Sequence, residues 1–174
     1  MALSKIDVAN MLTGATPVAN GGSGRTVATG NVVQVVEATN NTGATSTSTS
    51  YADTGLTANI TPSSTSNKIL VLVNVTLSSN NGQELANQCD IGGLKLVRDS
   101  TDILDPMSDK RMGVYVGSSN PVSNYVIPLT KLDSPSSTSA VTYKVQYASR
   151  NSGKSIRFNG YSGTSTIQLM EISA

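Results

Sequence analysis

Histidine and tryptophan are absent from this chain of 174 residues, and cysteine occurs once, as Cys89. Without His there is no Ser-His-Asp triad and no Cys-His pair, and a zinc site rich in His or Cys cannot be assembled. One Cys also closes no intrachain disulfide, so stability has to come from packing or association, and a reducing compartment suits the chain. Charge is scarce as well: 12 Lys and Arg against 11 Asp and Glu leave a formal net charge of +1. No basic tract interleaved with aromatics occurs, so the electrostatic footprint of a nucleic-acid binder is missing. Nowhere does the sequence approach the ~18 uninterrupted apolar residues of a membrane helix. The opening MALSKIDVANMLTG lacks the basic start and apolar stretch of a secretory signal peptide, which predicts folding where the chain is made.

The residues present are polar without being charged. Ser (25), Thr (20), Asn (15) and Gly (15) make up about two residues in five, whereas only 13% are charged and 4% aromatic. Disordered chains combine low hydrophobicity with high net charge; here 37% of residues are apolar and fall in short Val/Ile/Leu runs, which predicts a folded β protein of about one domain.

Residues 1 to 30 read as an arm. Ser4 suits a helix N-cap, Asp7 follows three residues on, Leu3 and Val8 can form a staple, and Gly14 ends the short helix. Such a helix is marginal alone and predicts docking on a partner. Beyond it, ATPVANGGSGRT has no apolar period and favours extended or turning backbone. Gly21, Gly22 and Gly24 before Arg25 and Thr26 imitate a phosphate cradle, but the preceding strand, the following helix and the Gly-Lys-Ser/Thr ending are missing. A close chain crossing that only Gly permits is the simpler account.

From residue 31 to 174 the pattern is all-β. Strands are expected at 32–36, at 55–60 with Leu56, Ala58 and Ile60 on one face and Pro62 ending it, and at 68–77. In the last, Ile69, Val71, Val73, Val75 and Leu77 share one side, while Leu70 and Leu72 make the other half apolar, which suggests cover from a second surface such as another copy of the chain. Asn80-Asn81-Gly82 signals a turn, and 91–97 a strand with a bulge at Gly92-Gly93. Residues 99–113 read as irregular, Met112 to Val116 as a short strand, and 123–131 as an edge strand or bulge because of Pro128. Strands at 141–147, 155–159 and 165–172 follow, the first two joined by a turn at Asn151-Ser152-Gly153. Eight to ten short strands without a convincing helix predict a jelly-roll-type β-sandwich. With few aromatics to bury, an isolated protomer should be modestly stable, and oligomerisation is the natural remedy.

Few residues suggest chemistry. Asp99, Asp102, Asp105 and Asp109 lack the alternate spacing, turn Gly and terminal Glu of a calcium loop; a solvated loop paired with Lys110 and Arg111 is expected, with no metal and no cofactor. Paired carboxylates of a glycosidase depend on the fold, but no repeat of 20–50 residues supports a long glycan-cleaving scaffold. Cys89 lies in an alternating pattern and reads as a small buried hydrophobe. The sequons at Asn40, Asn59 and Asn74 follow from composition.

Two segments carry a resemblance. Leu12 to Thr26, LTGATPVANGGSGRT, resembles the LPVANGGTG segment of tail-fibre proteins of tailed bacteriophages, with Ser23 where Thr is commoner. SAVTYKVQYASRNSG and STIQLMEIS resemble the terminal jelly-roll modules of phage tail fibres and head fibres, similar in outline to the C1q/TNF-like fold. The resemblance implies a non-enzymatic virion structural protein, made in the host cytoplasm and assembled as a homotrimer. Its arm would attach to tail, adaptor or capsid proteins, and its β domain would project, in some cases onto a host surface glycan or receptor. The attachment residues it implies are Leu3, Ile6, Val8, Leu12, Pro17, Val18, Asn20, Gly21, Gly22 and Gly24. A capsid head fibre or decoration protein is the alternative within a virion, and a carbohydrate-binding module the alternative outside one. Neither nucleic acid nor membrane insertion is expected.

Overall fold

The computed structural model describes residues 29–79, 92–111 and 124–174. Ten strands lie among them: β1 (Val32–Asn40), β2 (Ala44–Ser46), β3 (Ala52–Ile60), β4 (Lys68–Ser79), β5 (Gly92–Arg98), β6 (Thr101–Leu104), β7 (Asn124–Asp133), β8 (Val141–Ser149), β9 (Ile156–Phe158) and β10 (Ser165–Ile172). All the pairings are antiparallel.

Ladder register reduces the ten strands to eight rows. Along one edge of β4, residues 68–74 pair with β10 and residues 77–79 with β9, so β9 and β10 form one interrupted row. In the same way β1 pairs with β10 and β2 with β9, which makes β1 and β2 a second interrupted row. The first sheet therefore runs β7, β4, β9/β10, β1/β2, and the second runs β3, β8, β5, β6. Numbered along the chain, these rows read 1-8-3-6 and 2-7-4-5, the order of an eight-row jelly roll.

The two sheets pack because their inner faces are apolar at period two. Ile69, Val71, Val73, Val75 and Leu77 of β4 face Val141, Tyr143, Val145 and Tyr147 of β8 across one core, with Ile167 and Leu169 from β10. Each such side chain, fully buried, contributes roughly 1.5–3 kcal/mol. The large pieces are Tyr143, Phe158 and Tyr147; the rings of Tyr147 and Phe158 stand 6.3 Å apart at 55°.

Several expectations need correction. Residues 99–113 are not wholly irregular: Asp99, at φ 52, turns the chain into β6, whose Ile103 and Leu104 are drawn against the core. The bulge expected at Gly92-Gly93 is absent there, since those residues pair in unbroken register with Ser149 and Ala148; the shift falls at Leu96/Val97, against β6. Gly92 answers a different need, because a Cβ on it would lie 2.1 Å from the Ala148 carbonyl oxygen. β1 runs on to Asn40 with a bulge after Val32, and the Ser/Thr stretch contains β2. β3 begins at Ala52, with Gly55 at φ 83 where the register shifts. Elsewhere the reading stands: β10 has the expected bounds, β8 alternates buried and half-buried as expected, and Pro128 lies in β7, whose only ladder among the described residues is with β4.

Candidate assembly surface

Two loop systems leave the sandwich at opposite ends. At one end lie connections 61–67, 99–100 and 134–140, together with residues 29–31 and 173–174. At the other lie 47–51, 105–111 and 150–155, and so do residues 79, 92 and 124, which border the undescribed segments. The implied attachment residues, Leu3 to Gly24, lie outside the described residues, as do Cys89, the 80–82 turn and the strand expected at 112–116. Their stem is described: Gly30 N–H donates to Ser173 O at 2.6 Å, Ser173 N–H to Asn31 O at 2.9 Å, and Asn31 N–H to Ser173 Oγ at 3.0 Å. Residue 29 thus lies at the end opposite residues 79, 92 and 124, which border the two longest spans between described strands, 80–91 and 105–123.

The outer faces of the two sheets differ. On the second sheet, Lys144 pairs with Asp53 at 2.9 Å and Lys95 with Asp102 at 2.5 Å, beside Gln146, Thr57 and Asn59. That face is charged and polar. On the first sheet, Val35, Met170, Leu70 and Leu132 stand in one register row across all four strands. Val32 and Ile172 pair beside it, and Leu72 follows on β4. Val35 is 56% exposed, Leu132 51% and Val126, farther along β7, 67%. The next two rows, Glu37-Gln168-Leu72-Thr130 and Thr39-Thr166-Asn74-Pro128, add one charge, Glu37, which accepts from Gln168 Nε2 at 2.5 Å.

No family model and no curated protein matches this sequence. Solved structures overlap it loosely, two infectious bursal disease virus structures among them. A structure of the Gx strain of infectious bursal disease virus is 14% identical with a TM-score of 0.35, covering 81% of this chain and 37% of that one. The VP2 subviral particle of infectious bursal disease virus is 12% identical with a TM-score of 0.30, covering 82% and 38%. The chain spans under two fifths of either, and overlaps this loose decide nothing about what it does.

Four described carboxylates are engaged within the structure. Asp99 Oδ1 accepts Thr142 N–H at 2.9 Å, Asp102 pairs with Lys95, Asp105 Oδ1 accepts Met107 N–H at 3.3 Å, and Asp109 pairs with Arg111 at 2.8 Å. The expected charge pairing holds for Arg111, but Lys110 instead donates to the Thr49 carbonyl. Among the described residues no three His, Cys, Asp or Glu side chains are grouped to hold a metal, and no helix is long and apolar enough to cross a membrane. Lys95 and Lys110 lie 4.4 and 5.1 Å from the ring centre of Tyr51, whose phenol is pushed up to about 12 by burial and by Asp105 and Asp102.

Two buried carboxylates hold the sandwich together. Glu171, fully buried, takes four hydrogen bonds from neutral donors: Ser63 N–H at 2.7 Å, Ser63 Oγ at 2.8 Å and Asn67 Nδ2 at 2.6 Å on Oε1, and Gln34 Nε2 at 2.5 Å on Oε2. Burial alone would raise its pKa; the donors from Asn67, Gln34 and Ser63 outweigh that and hold it at about 2. Asp133 Oδ2 accepts from Arg98 Nη1 at 2.6 Å and Tyr143 OH at 2.7 Å, which ties β7 of one sheet to β5 and β8 of the other. Burial, then the bond to Asp133, push the Tyr143 phenol up. Glu171 has a signal in the sequence, an acid in phase with Ile167 and Leu169 on an alternating strand. Its partners have none, because they come from distant segments.

Proposed function

We propose that the chain is a non-enzymatic structural protein of a bacteriophage virion, a homotrimeric tail fibre or receptor-binding protein held to its particle by the N-terminal residues. The observation that carries this reading is the polarity of the sandwich. Residues 29–31 join it at one end, and residues 79, 92 and 124, which border the two longest spans between described strands, 80–91 and 105–123, lie at the other, as suits a body anchored at its base and presenting loops outward. The carboxylates bonded inside the structure fit a scaffold better than a catalyst. Tail, adaptor or capsid proteins are the partners under the arm, and a host glycan or receptor is the partner at the far loops. A head fibre or capsid decoration protein is the second reading.

Gold-labelled antibody against this chain, applied to intact particles, tests the reading. Label on the tail is the expected result, label on the head selects the decoration reading, and unlabelled particles that contain all other virion proteins overturn both.

A further inference from the structure

We infer that the outer face of the β7-β4-β10-β1 sheet is where this chain meets a second copy of itself. The inference rests on the self-association in the reading above and names its surface. An antiparallel sheet with one face in water ordinarily alternates apolar inside and polar outside. β4 does not: Leu70 and Leu72 point away from the core, and register places Leu70 in one row with Val35, Met170 and Leu132. A row of four large apolar side chains crossing a whole sheet, with Val32 and Ile172 beside it, is a contiguous patch rather than scattered exposure. The other sheet's outer face carries ion pairs instead, so the two faces are built for different surroundings.

Charge selects the occupant. Over the apolar row and its neighbours on either side the face carries one acid, Glu37, and one base, Lys68. An anionic partner would find no excess of base. A second copy offers an identical apolar row and brings one acid and one base of its own, so its contact adds no excess of either charge. Size agrees: four strands about 4.8 Å apart and eight residues long at about 3.3 Å each present a face about 19 Å by 26 Å. With side chains corrugating it, such a face approaches the ~800 Å² that each partner gives to a standard interface.

Light scattering on the purified full chain gives the test, with Val35→Glu/Leu132→Glu as the variant, Val126→Glu as a milder one, and Asn59→Glu on the opposite face as control. All these positions are exposed, so the variants should keep the wild-type circular dichroism. The wild type should have at least twice the protomer mass, the double variant should fall to one protomer, Val126→Glu should raise the dissociation constant at least tenfold, and the control should match the wild type. An oligomeric wild type whose mass survives the double variant overturns this surface and leaves self-association standing. A monomeric wild type overturns both. If a monomer becomes oligomeric on removal of residues 1–28, the chain's own N-terminal segment covers the face instead.

Discussion

Single side chains decide how the sandwich responds to acid and to crowding. Glu171 sits at about 2 in the folded protein against an ordinary 4.5, so the folded state binds its proton less readily than the unfolded chain. Its contribution to stability is complete above about 4.5 and is lost as pH falls through about 2. Asp53, lowered by Gln146 and Lys144 against the opposing effect of burial, acts in the same sense from an exposed position. Melting temperature followed by circular dichroism should therefore drop across this window. Glu171→Gln should be less stable at pH 7, by about 1–3 kcal/mol for a disrupted buried network, and its melting temperature should vary less with acid. An equal acid slope in both proteins would remove Glu171 as the cause. Crowding is tested at two glycines. Gly92→Ala would set a methyl 2.1 Å from a backbone oxygen that cannot step aside, whereas Gly153→Ala, at φ 79, meets nothing within 4 Å. Urea denaturation should give a loss of more than about 2 kcal/mol for the first and about 1 kcal/mol for the second, the cost of left-handed backbone alone.

At the scale of elements, the interrupted rows are held in line by one residue. Asn159 adopts φ 49 between β9 and β10, where the chain leaves the ladder for residues 160–164. Its Nδ2 donates to Asn40 O at 2.7 Å, and its Oδ1 accepts from Ser165 Oγ at 2.6 Å, so it fastens the break in β9/β10 to the matching break in β1/β2. Asn159→Ala should cost about 1–3 kcal/mol. Hydrogen exchange should rise locally at β2 and around Ser165 and stay unchanged in β5 and β8; a uniform rise would mean that the residue acts on global stability alone. The same breaks show what the sequence could reveal. β8 and β10 were legible because large apolar and polar residues alternate along them. β2 and β6, three and four residues long, consist mostly of Ser, Thr, Asp and Ala, and their pairing comes from backbone bonds that leave no apolar period. Leu70 and Leu72 could be seen to face away from the core, but the row joining Leu70 to Val35, Met170 and Leu132 depends on a register that only the assembled sheet defines. Likewise Gln34, Ser63 and Asn67 reach Glu171 from more than 100 residues away.

For the molecule as a whole, the proposed reading assigns folding and attachment to different parts, so their failures should separate. Val73, 2% exposed, belongs to the core shared by both sheets. Val73→Asp places a carboxylate there without a partner, a penalty of several kcal/mol against a total stability of roughly 5–15 kcal/mol. That variant should be recovered unfolded or aggregated, with the strand signal lost in circular dichroism. The β1–β10 ladder starts at Val32 and is extended by Gly30 and Asn31, all of which are kept when residues 1–26 are removed. Removing them should therefore leave the melting temperature within about 2 °C of the full chain, since ~0.5 kcal/mol is what changes outside packed regions cost and a domain of this size shifts by about 2–4 °C per kcal/mol. Particles assembled with the truncated chain should lack it, although it is present and folded in the same lysate. Incorporation at the normal level would move the anchor from the N-terminal residues to the sandwich, where the apolar face of the first sheet would then have to serve both its own copies and the particle.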